Sequence, residues 1–545
     1  MDGKGVELIA EQWDVFSPVL IDDSTEYYQF QTLKPLGDNQ IGKAFGVQSP
    51  IEFLITDSQR YLNLKKSYIQ MAVQLQTSSV NGANPATYPA PYNSSVSAAY
   101  PPGTPIAMEF DAARLFNRCE LIVGNSNLES TSVYHDRTCM IRDLLQIDGA
   151  YSSTRAANAA TITDMYLLDS PGNQCQTTLS FQSMSYTGTP TMSGTWYPNV
   201  VSSAASSNGS IQLVSTGAAY GLNVGNIVAN PLYNEGFARR AALSDAGKLV
   251  FLRIPLERIY GFAQLDRVCF GTNILLRLYP QPNNNLIFHA QTDINGVTIP
   301  DGQLTIQSLD LMLAAVKPSL AVQAKISEQL IAKTSQEVCW QFGDTYSFNI
   351  PSGVANINQI VTSISERPQY IVFSFMPSSF LGSQLYPSAS SWQPYTTING
   401  ASAIQNQTCF SQAYLQLGSS YFPMSYYWTF KGDNARVYQE YLDVTNRTDP
   451  TAALTPSIGY NDMFNSGLNS TVAGVTAGEG GYFMLIFDLR HISSDATSVG
   501  QPQQVILNAN LYGQTTQAYT LYCTVFVERL GQVSAVDRQI VVTRK

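Results

Sequence analysis

The feature that most constrains this chain is a side-chain period of two. Ile69, Met71, Val73 and Leu75 alternate with Gln70, Gln74 and Gln76, which predicts a strand with one apolar and one wet face. Late in the chain Val505, Leu507, Ala509 and Leu511 repeat the pattern against Asn508 and Asn510. Tyr519, Leu521, Cys523, Val525 and Val527 then alternate with Thr520, Thr524 and Glu528. Four further runs are apolar on both faces: KLVFLRIPL (248–256), NILLRLY (273–279), QYIVFSFM (369–376) and YFMLIFDL (482–489). Bounded by Gly, Pro and Asn, they suit strands buried inside a sandwich. No regular strand–helix alternation accompanies them, so the expected class is all-β, built of antiparallel sandwiches.

Helical signals are few. Met140, Ile141, Leu144 and Leu145 share one helical face, with Asp136 placed to cap it. The stretch AKISEQLIAKT (324–334) puts Ile326, Leu330 and Ile331 on one side.

A chain of 545 residues exceeds the ~250–300 at which one hydrophobic core stops growing. Strand-rich blocks fill roughly 45–290 and 305–545, with Pro300, Asp301 and Gly302 between them. The expected division is an N-terminal arm over 1–44, a first sandwich over 45–300 and a second over 301–545. Three turn-rich, nearly uncharged stretches interrupt the strands at 77–105, 150–233 and 378–420. Connections beyond ~12–15 residues are uncommon in compact domains. These fit towers or inter-subunit clamps, with flexible loops as the alternative.

Charged residues are 13% of the chain, about half the usual ~25%. A surface of neutral polar and aromatic groups packs against copies of itself without burying unpaired ions. A robust extracellular β-protein shares that composition. Net charge is −10, the opposite of the basic footprint that phosphate binding needs. The arm carries Asp2, Glu7, Glu11, Asp14, Asp22, Asp23 and Glu26 against Lys4 and Lys34. No direct nucleic-acid binding is expected. Apolar Trp13, Val15, Phe16, Val19, Leu20 and Ile21 in the same arm suit docking on protein.

Seven scattered cysteines without CxxC spacing read as reduced, structural thiols. The start MDGKGVELIAEQW lacks a basic stretch followed by an apolar run, so no secretory signal is expected. Nor is there an apolar run of spanning length. Sequons at Asn93, Asn406 and Asn446 read as chance.

Chemistry-bearing constellations are sparse. Of His135, His289 and His491, only His135 has a near partner, Cys139 in HDRTC, and no cluster surrounds them. His135 is read as starting the short helix. No GxSxG, Walker or strand-linked GxGxxG motif occurs, and TAGEGGYF (476–483) reads as a turn. Among acids, Asp310, Glu337, Asp344, Asp443 and Asp488 are dispersed, with nothing selecting a glycosidase-like pair. The expectation is no catalytic residue, no cofactor-binding residue, no metal site and no enzymatic activity.

Residues 110–148, FDAARLFNRCELIVGNSNLESTSVYHDRTCMIRDLLQID, resemble a signature of double jelly-roll capsid proteins of the Polinton, adintovirus and virophage type, within the PRD1–adenovirus-like lineage of double-stranded DNA viruses. The matching features are Leu115-Phe116, Leu121 to Asn125, Tyr134 and Leu144-Leu145. NEGFARRAALSDAGKLVFLRIPLERIYGFAQLDRVCFGTNILLRLYPQPNNNLIFHA (234–290) is similar to the family's close of the first roll. SLDLMLAAVKPSLAVQAKISEQL (308–330) resembles the link into the second, and 482–489 with 519–542 resemble its closing strands, ending in an Asp537-Arg538 turn.

The resemblance implies two consecutive eight-stranded jelly rolls standing upright in a virion shell assembled inside the host cell. It also implies a homotrimer forming a pseudo-hexameric capsomer that tiles an icosahedral capsid. Neighbouring capsomers, penton and minor capsid proteins would be the partners, with an internal membrane compatible nearby. The alternative reading is a receptor- or carbohydrate-binding β-sandwich of fibre or spike type, for which Trp13, Trp196, Trp340, Trp392 and Trp428 are poorly grouped. A β-sandwich hydrolase stands behind both.

Overall fold

The alternating sequence resolves into long antiparallel ladders. The computed structural model describes residues 25–37, 50–56, 61–77, 106–108, 112–146, 248–265, 268–270, 273–289, 300–332, 336–364, 367–378, 410–418, 420–422, 434–445, 484–490, 503–511, 518–533 and 540–543. Short pieces at 41–42, 44–45, 185–187, 201–202, 214–216, 219–221, 227–228, 243–244, 247, 381–382, 384, 428–429, 456 and 514–515 are described as well. The arm before Thr25, most of 77–105 and 150–233, the Asp537-Arg538 turn, the three sequons and TAGEGGYF lie outside the described residues.

The first half contains β1 (Thr25–Leu33), β2 (Ile51–Ile55), β3 (Tyr61–Thr77), β4 (Ile106–Met108), β5 (Phe116–Val123) and β6 (Ser126–Ser130). Helix α1 (His135–Gln146) follows, then β7–β11, five strands of two or three residues between Ser185 and Val228. Next come β12 (Leu249–Pro255), α2 (Leu256–Ile259), β13 (Val268–Phe270), β14 (Ile274–Pro280), β15 (Ile287–His289) and β16 (Gly302–Pro318). Helix α3 (Leu320–Ile331) leads to β17 (Gln336–Ile350), β18 (Asn356–Ile364), β19 (Arg367–Pro377), β20 (Phe410–Leu417), β21 (Ser420–Phe422) and β22 (Trp428–Thr429). Helix α4 (Asn434–Val444), β23 (Leu485–Asp488), β24 (Gln503–Leu511), β25 (Tyr519–Val533) and β26 (Ile540–Thr543) complete the chain.

Two main sheets make up each half. In the first they are β1-β16-β3-β12 and β2-β14-β5-β6; in the second, β17-β25-β19-β23 and β18-β24-β20-β21. Numbering the eight strands of each half from one to eight, both halves read 1-8-3-6 in one sheet and 2-7-4-5 in the other. That order, all antiparallel, is the jelly roll, and it occurs twice. The longest strands, β3 and β16, have 17 residues each and span about 55 Å at ~3.3 Å per residue.

The domain division differs from the sequence expectation. Gly302–Pro318 pairs along β3 and β1 and is the eighth strand of the first roll. Pro300 and Asp301 therefore lead straight into that strand, which Gly302 begins, and the change of roll falls after Pro318. Thr25–Leu33, expected in the arm, is the first roll's edge strand.

Each roll has its own core. Ile69, Met71, Val73 and Leu75 point into the first, with Leu121, Leu252, Leu276 and Leu309. Phe373, Leu485, Leu507, Leu521 and Cys523 point into the second. QYIVFSFM is buried at every position from Tyr370 to Met376, as its pattern predicts. KLVFLRIPL and NILLRLY instead alternate, and Phe251 is 66% exposed. Conversely, Thr524 and Asn508, expected on wet faces, are buried.

In an antiparallel roll, the connections 1–2, 3–4, 5–6 and 7–8 share one end. The pairing places them there: Thr77 lies opposite Gly302, Ile51 opposite Leu278, and both Ile350 and Pro377 opposite Tyr519. The polar stretches 77–105 and 378–420 fall in the 3–4 connections, and 150–233 falls in the first roll's 5–6 connection. The third stretch is shorter than expected, because β20 and β21 occupy its last residues. All three leave from the same end of their rolls. Helix α3 lies at the opposite end, and none of its described residues is buried. The side shared by Ile326 and Ile331 is thus not buried among the described residues, and Ile331 is 80% exposed.

Candidate functional site: the seam between the rolls and their insertion end

The residues that join the rolls come mainly from one helix. The β5–β6 hairpin turns at Gly124, whose φ of 60° favours glycine. The chain then passes through Thr131 to Tyr134 into α1. Tyr134, not Asp136, holds the capping position: its carbonyl accepts the Arg137 and Thr138 amides. Asp136 sits in the first turn beside Arg137, where its charge suits the helix N-terminus. The expected face of Met140, Ile141 and Leu145 is buried, but in the core cluster of the second roll.

Polar contacts complete this seam. The Ser132 amide donates to Asp344 Oδ1 at 2.8 Å, and its hydroxyl donates to the Thr345 carbonyl at 2.6 Å. Thr138, Thr345 and Thr524 form a hydroxyl chain with both steps at 2.8 Å, and all three are at most 1% exposed. Arg529 Nη1 donates to the Leu128 carbonyl at 2.7 Å while its guanidinium lies 3.5 Å from the Phe342 ring centroid. Arg137 lies over the Tyr522 ring, which Tyr134 meets edge-on. Glutamines 264, 146, 341 and 369 run across the seam in one hydrogen-bonded series.

Two glycines allow this closeness. A Cβ on Gly261 would sit 1.9 Å from the Gln341 carbonyl oxygen. A Cβ on Gly343 would meet Phe526 and Thr138 at 2.8 Å each. The Gly261 and Phe262 amides donate to the buried Glu129 carboxylate, and Phe262 stacks edge-on against Trp340 of the second roll at 5.2 Å. Burial pushes the Glu129, Asp136 and Asp344 carboxyls above their ordinary range, partly offset by amide donors and nearby arginines.

At the insertion end two side chains tie the rolls together. Gln384, 3% exposed, accepts the Gly302 amide at 2.6 Å and donates to the Gly302 carbonyl at 2.7 Å. Asn284 donates to the Gly382 carbonyl at 2.9 Å. These bonds join the 7–8 connection of the first roll to the 3–4 connection of the second. The two rolls therefore stand side by side with their insertion ends pointing the same way.

The sequence candidates for chemistry fall as follows. His135 is the first residue of α1 and is fully buried, with Nε2 3.2 Å from Cys139 Sγ. Burial, aided by the Arg142 charge, pushes its pKa down to about 3, so the ring is neutral. Among the described residues no three His, Cys, Asp or Glu side chains gather as a metal-ligand group, and no helix is long and apolar enough to cross a membrane. The acids are dispersed: Asp310 pairs with Lys34, Asp488 with Arg490, and Asp344 lies in the seam. Cys119, Cys139 and Cys523 are buried thiols, not disulfide-bonded. Trp340 is buried; the other four tryptophans have no described side chain.

No family model matches this chain, and no curated protein matches it in sequence. Solved structures do. A chain in the 3.5 Å cryo-EM structure of the Sputnik virophage is 12% identical, with 99% of this chain and 93% of that one covered at a TM-score of 0.50. The major capsid protein of mavirus is 10% identical over 100% of this chain and 96% of its own, at 0.48. The Faustovirus major capsid protein is 8% identical over 94% and 92%, at 0.47. The likeness to the Sputnik chain is one of fold, and it extends over both rolls: this chain is a double jelly roll.

Proposed function

We propose that this chain is the major shell subunit of an icosahedral double-stranded DNA virus. It would act without catalysis, as a homotrimer whose six rolls form a pseudo-hexameric capsomer of the virion. The observation that carries this reading is the duplicated 1-8-3-6 and 2-7-4-5 order, with both rolls upright and every long polar stretch leaving one end. Such a body presents one end for insertions, another for the shell interior, and its flanks for neighbours. The ordered resemblance of 110–148, 234–290 and 482–542 to double jelly-roll capsid proteins supports it.

Within this reading the first structural unit runs to Pro318 and the second from Gln336, with α3 as the link. The acidic arm precedes Thr25, which pairs with Pro318 at the end opposite the insertions. Its charge suits contacts with neighbouring capsomers, penton or minor capsid proteins rather than DNA. Mass photometry of the purified chain tests the assignment. Three chains of 59.7 kDa predict a species near 180 kDa, and a monomer at every concentration would overturn it.

A further inference from the structure

The duplication exposes an imbalance. In the second roll, the outer face of the 1-8-3-6 sheet is covered by α1 of the first roll, leaving Thr345, Thr524 and Tyr522 at 0%, 1% and 4% exposure. Among the described residues, the equivalent face of the first roll has no such cover. Its outward residues follow from the pairing. Tyr68 alternates with the inward Ile69, Met312 lies opposite Tyr68, and Thr32 lies opposite Met312. Phe30 and Tyr28 follow on the same side of β1, while Phe251 lies opposite Ala72 and Arg253 opposite Gln70.

The result is an aromatic face. Tyr28, Phe30 and Phe251 are 38%, 40% and 66% exposed. Tyr28 and Phe30 meet edge-on at 5.6 Å, and Phe30 and Tyr68 do so at 5.5 Å. Lys66 lies over Tyr28 and Arg253 over Tyr68. A contiguous exposed patch of this kind marks an interaction surface, and aromatic and Arg side chains are what such surfaces enrich.

From this we infer that the outer face formed by Tyr28, Phe30, Tyr68, Phe251 and Arg253 receives the α4 side of the second roll of another copy of this chain. The inference rests on the shell-subunit reading and names the surface through which copies join. Three observations select this occupant. The second roll repeats the first roll's topology, and each roll carries a helix between its fifth and sixth strands: α1 in one, α4 in the other. Helix α1 already covers this same face of its neighbouring roll, so α4 of a second copy repeats an existing contact. The charges also agree. Helix α4 turns Val437, Tyr441 and Val444 inward and presents Gln439 and the acid Asp443 on its outer side, with half-buried Glu440 at its flank, against the cations Lys66 and Arg253.

Because the two surfaces differ, the contact is head-to-tail. Such a contact closes into a ring when the rotation permits and otherwise propagates. A ring of three chains would give each of six rolls one covered sheet face, so that the seam within the chain and the contact between chains become near-equivalents.

The test uses the full chain. Phe251→Glu and Arg253→Glu alter exposed groups, and unchanged near-ultraviolet dichroism would verify the fold. Each is expected to weaken the oligomer by about tenfold or more, as loss of an interface anchor does, read by mass photometry across a dilution series. Arg253→Glu combined with Asp443→Arg should recover part of the lost association. In the wild-type protein, a photo-crosslinking amino acid placed at position 251 should yield an inter-chain adduct within 434–444. Trimers that persist unchanged in both single variants, or adducts joining position 251 to 251, would overturn the inference and leave the shell reading standing. A wild-type chain that stays monomeric would overturn both.

Discussion

Thr345→Val isolates the hydroxyl chain that fastens α1 to the second roll. Valine keeps the shape of threonine, so packing is nearly conserved and the change is almost wholly polar. Thr345 Oγ1 is 2.8 Å from both Thr138 Oγ1 and Thr524 Oγ1, in a site where no side chain exceeds 1% exposure. Two buried hydrogen bonds of ~1 kcal/mol each are lost, and the stranded Thr524 hydroxyl adds a desolvation penalty of ~1–3 kcal/mol. The seam should loosen by about 3–5 kcal/mol, equivalent to roughly 140- to 3,700-fold in the opening equilibrium. Amide hydrogen exchange along α1 reads that opening directly. Replacing Thr138, Thr345 and Thr524 together by valine removes all three polar groups at once, and should restore protection to within about 1 kcal/mol of wild type. The reasoning fails if Thr345→Val leaves α1 protection within threefold of wild type. It fails equally if the triple variant is looser than the single one.

Three further outcomes follow from the same geometry. Gly261→Ala places a methyl 1.9 Å from the Gln341 carbonyl oxygen, so backbone must move and the Glu129 contacts are disturbed; a loss of at least ~3 kcal/mol is expected by denaturant titration. Gln384→Ala removes both bonds to Gly302, and the Gly302 amide should exchange about tenfold faster or more, while unchanged exchange would refute the clamp. The third concerns pH. Burial raises the Asp344 carboxyl in the folded state, so its contribution is present in full below the unfolded carboxylate range and is lost as pH rises through the folded value. Asp344→Asn keeps the one oxygen that accepts both the Ser132 and Thr345 amides. It should therefore gain stability relative to wild type at pH 8 compared with pH 5, and an equal difference at both pH values would contradict the assignment.

Much of the fold was legible because burial on one face writes a period of two. Residues 69–75, 505–511 and 519–527 all turn their apolar sets inward as read. The exceptions occur where a second layer covers the sheet or fails to. Thr524 reads as wet, yet α1 lies on it; Phe251 reads as buried, yet it faces outward and is exposed. The link near 300 was misplaced because Pro, Asp and Gly in sequence punctuate a chain inside a roll as readily as between two. The seam itself carried no readable signal. Thr138, Thr345 and Thr524 are far apart in sequence, and threonine is common on exposed strands. Only the fold brings them together.

The central claim is that two like rolls per chain assemble into a closed, six-lobed ring of three chains. Electron-microscopy class averages of the purified oligomer test it most directly. The account predicts a hexagonal outline with threefold symmetry and six upright lobes about 55 Å tall, the height set by strands of 17 residues at ~3.3 Å each. Isolated two-lobed particles, or open chains of lobes without closure, would contradict it.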